Sequence, residues 1–292
     1  MPELPEVEIT ARLLDGALRG GRIESALAPG INALKSFQPP LSALEGQEIA
    51  GVRRRGKQLI LQTSGGLVLL MHLMSAGRLQ LYDKRAGPRD RTSRLLVRIT
   101  PPSTGEGGAE APELELRLRE FGSRQTAWVK LLPLADLQAE DSLAGLGPEA
   151  WPDPPDLAEL LDVPRPLHAL LRDQHVIAGI GRSWVDEILW QARLSPYKRG
   201  ADLDAEEAER LRGVIVATLG EAIAHYEANL SLPIPDKLPM PLRIHRHEGE
   251  PCPRCAATLK AVHFEDYIIA YCPTCQTEGR VLKDRRLSRL LR

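Results

Sequence analysis

Apolar residues recur at helical spacing at the very start of the chain. Val7, Ala11, Leu14 and Leu18 share one face of a helix predicted from Pro2 to Leu18, which Gly20-Gly21 ends. The period then shortens. Ile49 to Val52, Gln58 to Gln62, Leu67 to Leu73, Gly77 to Tyr82, Arg94 to Ile99, Glu113 to Leu118 and Thr126 to Leu132 are short β-type runs between Gly, Pro or charged turns. They predict a β-sandwich of about seven or eight strands. Pro101 to Pro112 reads as a polar hairpin loop, and Gly145 to Pro155, with Gly147-Pro148 and Pro152-Asp153-Pro154-Pro155, as an interdomain linker. Beyond it the pattern turns helical again, over Leu157 to Leu161, Pro166 to Arg172, Arg182 to Gln191 and Asp204 to Glu227, with Asp204 as an N-cap. Ala261 to Phe264 and Tyr267 to Tyr271 read as a two-stranded hairpin. The expected class is α+β: an N-terminal helix and two-layer sandwich over 1–135, a helical domain over 136–242 and a small hairpin module over 243–292.

Composition fits this plan and narrows the partners. A chain of 292 residues with 43% hydrophobic content can bury two cores and a small module. No apolar run is long enough to span a bilayer, and the opening segment is acidic and helical rather than a signal peptide, so a cytoplasmic protein with no membrane partner is expected. The net charge of −1 speaks weakly against a nucleic-acid binder. Distribution matters more than the sum. Arg53-Arg54-Arg55-Gly56-Lys57 and the tail from Arg280 to Arg292 are basic, whereas acidic residues gather between Asp202 and Glu209. A charge run is most often a solvated face, so these clusters add only modest weight.

Two segments carry the chemistry. All four cysteines lie in Cys252-Pro253-Arg254-Cys255 and Cys272-Pro273-Thr274-Cys275, with sixteen residues between the pairs. That spacing matches one structural zinc ion held by two knuckles, a zinc ribbon; two disulfides would suit a small secreted protein instead. At the other end, removal of Met1 from Met1-Pro2-Glu3-Leu4-Pro5-Glu6-Val7-Glu8 leaves Pro2 as a secondary amine beside carboxylates. An α-amino group titrates near 7.7–8.0 against about 10.4 for a lysine ammonium, so it offers a far larger neutral fraction at neutral pH without burial. Its attack on an aldehyde carbon gives an obligatorily cationic iminium, with Glu3 and Glu6 placed to move protons. The bland alternative is a proline in a first helical turn with acids complementing the helix dipole.

Together these termini resemble those of the formamidopyrimidine-DNA glycosylase/endonuclease VIII family, and the likeness runs the length of the chain. Lys57, after the turn Arg55-Gly56, corresponds to the family's hairpin lysine, which contacts phosphates beside the damaged nucleotide. Met71-His72-Leu73-Met74-Ser75-Ala76-Gly77 is similar to its His-Leu-Gly-Met-Ser-Gly motif. Arg119-Glu120-Phe121-Gly122 resembles its Arg-Arg-Phe-Gly, in which the arginine faces the base left unpaired and the aromatic wedges the stack. Asp173-Gln174 through Gly181-Arg182 resembles its helix, two-turn, helix motif, which grips the DNA backbone.

The resemblance implies a bifunctional base-excision repair enzyme acting as a monomer on damaged DNA. Pro2, Glu3, Glu6 and Lys57 would be catalytic, and His72, Met74, Arg119, Phe121, Gln174 and Arg182 would contact DNA. Cys252, Cys255, Cys272 and Cys275 would hold a structural Zn2+. The chain departs from the pattern at four places: Met74 stands one position early with Ser75 in the matching slot, Glu120 replaces a basic residue, Arg182 replaces an asparagine, and Tyr267 stands where the ribbon offers an arginine. A catalytically weakened damaged-DNA-binding protein of the same fold is the alternative; a tautomerase using Pro2 as a base would have no use for the ribbon.

Overall fold

The computed structural model describes all residues except 31, 88–89, 103–111, 122–124, 265–266 and 284–292. Most of the polar loop after Pro101, Gly122 and the end of the basic tail therefore lie outside the described residues.

Helix α1 (Leu4–Leu18) starts at a reciprocal capping box between Glu3 and Glu6, with a proline in its first turn, and Glu6 Oε2 accepts the Glu3 N–H at 2.9 Å. It ends where Gly20 takes a φ of +80°, a conformation open to glycine at no steric cost. Eight strands follow: β1 (Arg22–Leu27), β2 (Ile49–Arg55), β3 (Gln58–Thr63), β4 (Leu67–His72), β5 (Gly77–Tyr82), β6 (Ser93–Thr100), β7 (Leu114–Glu120) and β8 (Trp128–Pro133). They form two four-stranded sheets, in the orders β1-β6-β7-β5 and β2-β3-β4-β8, with every pair antiparallel. The core between them joins Leu14 and Leu18 of α1 to Leu61 and Leu69 of one sheet and Val97 and Leu116 of the other, all fully buried. Burial of such side chains contributes about 1.5–3 kcal/mol each, which is why alternation along these strands predicts them well.

The sequence pattern misses β1. Only Ile23 of that strand is fully buried and a bulge follows it, so no apolar alternation marks it. Strand β7 also runs beyond the expected end at Leu118 and takes in Arg119 and Glu120.

A short helix α2 (Asp141–Ala144) closes this part of the chain. The first compact unit comprises Met1–Gly145 together with His225–Pro239, and the second comprises Leu146–Ala224 and the chain from Met240 onward. The second unit holds α3 (Leu157–Leu160), α4 (Leu167–Arg172), α5 (Arg182–Gln191), most of α6 (Ala205–Asn229), the hairpin β9 (Lys260–His263) and β10 (Ile268–Tyr271), and α7 (Pro273–Thr277). Asp204 caps α6, accepting the Glu207 N–H at 2.8 Å. Buried Asp186 on α5 takes the Ala270 N–H at 3.0 Å and His245 Nδ1 at 2.7 Å, which fixes the hairpin to the helix. No described helix is long and apolar enough to cross a membrane.

Candidate active site

Met1 is 48% exposed, Pro2 is half-buried, and Glu3 and Glu6 are buried at the start of α1. Glu6 is held at both oxygens: Oε2 by the Glu3 N–H, and Oε1 by the Tyr226 hydroxyl at 2.7 Å. Burial, with the negative charges of Glu6 and Glu3, pushes the Tyr226 phenol well above its ordinary range, so it remains the donor. Sequence reasoning missed Tyr226. It lies on the buried face of α6, where periodicity marks a packing residue and gives no sign of a hydroxyl partner.

The β2–β3 hairpin is tied to α1 by Arg54, whose Nε meets Glu8 Oε2 at 2.7 Å. Its two-residue turn is Gly56-Lys57, with φ of +55° at Gly56, and Lys57 is buried to 8% exposure. His72 stands one strand away, opposite Gln58. Its ring stacks on Trp128, and its Nδ1 accepts the Met74 N–H at 2.9 Å, which leaves the proton on Nε2. Burial and the Lys57 charge push the imidazole down to about 4, so His72 is a neutral donor. Met74, half-buried, takes a φ of +50° in the β4–β5 turn, and Ser75 is exposed.

Arg119 and Phe121 also come together. The guanidinium carbon lies 4.6 Å from the Phe121 ring centre, Nη1 donates to Tyr82 Oη at 2.9 Å and Nε to Thr92 Oγ1 at 3.1 Å, while Phe121 is 42% exposed. Glu120 points the other way. It is fully buried, 3.6 Å from Arg94, and accepts the Ala127 N–H at 2.9 Å. The acidic residue beside Phe121 is thus a core ion pair, as strand alternation requires.

In the second unit, Gln174 holds the turn between α4 and α5. Its amide donates to the Arg172 and Ile180 carbonyls and accepts the Gly179 N–H, where φ is +109°. Those bonds make Gln174 an organiser of the turn. Arg182 is the first residue of α5. Tyr267 stacks on Phe264 at 4.5 Å, with the Arg172 guanidinium 4.1 Å and that of Arg182 5.3 Å from its ring centre.

The Sγ atoms of Cys252, Cys255, Cys272 and Cys275 lie within 4.8 Å of one another, a donor set able to hold a metal ion. Burial opposes ionisation of Cys252, but the N–H groups of Arg254 and Cys255 and the Trp190 indole prevail and hold its thiol down to about 6. Burial pushes Cys272 up instead.

The family model for the formamidopyrimidine-DNA glycosylase N-terminal domain matches residues 1–119, and that for the formamidopyrimidine-DNA glycosylase H2TH domain matches 147–232. The formamidopyrimidine-DNA glycosylase of Rhodopseudomonas palustris (strain ATCC BAA-98 / CGA009) is 31% identical over 295 residues, covering 94% of this chain and all of its own. That of Chloroflexus aurantiacus is 32% identical over 289 residues, covering 94% of this chain and 98% of its own. Among solved structures, the Lactococcus lactis Fpg in complex with abasic-site-containing DNA superposes with a TM-score of 0.79 at 25% identity, over 94% of this chain and 99% of that one.

Proposed function

The chain belongs to the formamidopyrimidine-DNA glycosylase family, and from that premise we propose that Pro2 is the nucleophile of its reaction. The activity is that of a DNA glycosylase of base-excision repair that is also an abasic-site lyase. The observation that carries the assignment is the start of α1, where Pro2 precedes buried Glu3, whose N–H binds a second buried carboxylate, Glu6, fixed at both oxygens.

In this reading the damaged nucleotide of a DNA substrate is turned out of the stack, and the Pro2 nitrogen attacks C1′. The base departs with the electrons of the glycosidic bond and takes up the proton that the Pro2 nitrogen releases. Glu3 supplies the proton that the sugar-ring oxygen takes as the ring opens to the iminium, and Glu6 shapes the site. Loss of a C2′ proton sends electrons into the iminium and expels the 3′ phosphate, the β-elimination; δ-elimination of the 5′ phosphate follows. Lys57 and neutral His72 bind phosphate, and Arg119 and Phe121 fill the vacated position, offsetting an unstacking cost of a few kcal/mol.

Zinc fits the cysteine cluster. Thiolates around a tetrahedral zinc at about 2.3 Å stand about 3.8 Å apart, against 3.9 Å for Cys252–Cys275 and 3.4 Å for Cys255–Cys272. Zinc there would cross-link the knuckles, and the four cysteines would hold the hairpin for DNA binding.

Borohydride reduction tests the nucleophile. A covalent adduct with abasic DNA should map to the N-terminal peptide, and Pro2→Gly or a retained Met1 should reduce it strongly. An adduct on Lys57 or another lysine would overturn the assignment.

A further inference from the structure

Strands β5 and β7 present one polar face by strict alternation. Arg78, Gln80 and Tyr82 stand opposite Arg119, Arg117 and Glu115, while the leucines between them face the core. The middle of this face is shielded from water: Gln80, Arg117 and Glu115 are buried, while Arg78, Tyr82 and Arg119 are half-buried. Gln80 is only 5% exposed, and so is Ile234, in the segment that follows α6. Gln80 Nε2 donates to the Ile234 carbonyl at 3.0 Å and to Asp236 Oδ1 at 2.7 Å, and Arg78 donates to the Asp236 carbonyl. Leu232, just before them, packs on the sandwich core.

These bonds form one chain in which each role is fixed. With both Nε2 contacts used on acceptors, Gln80 offers Oε1 as an acceptor, and Tyr82 Oη donates to it. A lone pair of the same hydroxyl then accepts Arg119 Nη1 at 2.9 Å, with Thr92 holding Nε. Such chains polarise and stiffen one another in a dry setting. The guanidinium is thereby fixed over the Phe121 ring, with its other N–H groups unpartnered among the described residues.

We propose that Tyr82 and Gln80 are positioning residues that lock Arg119 as a donor array for the acceptor edge of the unpaired base, and that they do so only while the segment around Asp236 is docked on β5. Discrimination between bases opposite the lesion therefore depends on a side-chain oxygen acceptor in that segment, Asp236 Oδ1. The inference rests on the assignment of Arg119 and Phe121 given above.

The test uses the full chain in single-turnover cleavage of duplexes carrying one lesion opposite each of the four bases. Tyr82→Phe and Asp236→Ala should each lower the ratio of fastest to slowest opposite base by about tenfold, the size expected for a lost hydrogen bond to a charged group. Asp236→Asn keeps the Oδ1 acceptor and should keep the ratio. The double variant Tyr82→Phe/Asp236→Ala should lose no more than either single one, because both cut the same chain. An unchanged ratio in Tyr82→Phe, a lost ratio in Asp236→Asn, or a wild-type ratio of one would overturn the inference. Trapping on single-stranded abasic DNA, which has no opposite base, separates general damage: a parallel tenfold loss there in Tyr82→Phe would also overturn it. Insensitivity of the ratio to Arg119→Ala would overturn both the relay and the assignment beneath it, whereas failure of wild-type trapping would strike the Pro2 reading itself.

Discussion

Tyr226 reaches across 220 positions of sequence to donate its phenolic hydrogen to Glu6 at 2.7 Å. Because the other Glu6 oxygen caps α1 at Glu3, the residue that follows Pro2, the carboxylate is oriented from two sides at the start of the helix. A hydrogen bond to a charged group contributes about 1.5–3 kcal/mol, so Tyr226→Phe should slow adduct formation about tenfold and lower the melting temperature by several degrees. Borohydride time courses read the first effect and calorimetry the second. Unchanged trapping kinetics would show that Glu6 needs no help from α6.

His72 predicts a pH signature. Its imidazole titrates at about 4 in the fold against 6.5 ordinarily, owing to burial and then Lys57. The unfolded chain binds a proton there as pH falls through 6.5 and the native chain does not until about 4, so stability is lost on acidification across that window. Wild type should lose about 2–3 kcal/mol more than His72→Gln between pH 7 and 4.5. Denaturant titrations at the two pH values measure this, and parallel losses in both proteins would contradict it.

How much of this was legible beforehand depends on whether a residue's role is local. The acids at the start of the first helix, the hairpin turn at Lys57 and the two cysteine knuckles are set by spacings of a few residues, and all appear where the pattern puts them, although the reciprocal capping of Glu3 and Glu6 was not read from it. Arg119 was visible as a motif, but the bonds that orient it were not, because Tyr82 and Gln80 come from another strand and Asp236 from beyond α6. Glu120 read as a loss of basic charge beside the wedge; alternation along β7 turns it inward to Arg94. Tyr267 read as a missing arginine, yet it braces two guanidiniums supplied by the helical turn.

That bracing yields a salt-dependence prediction. If Arg182 holds one phosphate, Arg182→Ala should weaken binding to every sequence alike and reduce the slope of log affinity against log salt by about one. Tyr267→Ala should weaken affinity in the same direction by releasing the cation it stacks. Titrations from low to moderate salt decide it, and an unaltered slope for Arg182→Ala would remove that residue from the interface.

Metal content gives another. One zinc per chain is expected, and its chelation should weaken DNA binding more than the chemistry of a sugar already bound, since metal and hairpin fold as one unit while Pro2 lies in the other compact unit. Elemental analysis and binding isotherms before and after chelation would test this. A metal-free preparation with full DNA affinity would count against it.

Substrate range follows from the segment after α6. In the family, members that favour 8-oxoguanine cover the flipped base with a flexible loop at this place. Here Asn229 to Met240 and Pro241 hold four prolines and no glycine. Proline fixes φ and restricts the residue before it, so the segment starts stiff. It is also anchored: Leu232 packs on the core, Ile234 is buried, and Gln80 and Arg78 bind Ile234 and Asp236. Closing such a segment over a base would break those bonds and expose Ile234, at a cost of several kcal/mol that a flexible loop does not bear. Abasic-site cleavage, and excision of oxidised pyrimidines or ring-opened lesions, should therefore exceed excision of 8-oxoguanine opposite cytosine. Single-turnover rates on matched duplexes measure the order directly. Removal of 8-oxoguanine as fast as the others would mean that the anchored segment does not limit lesion choice.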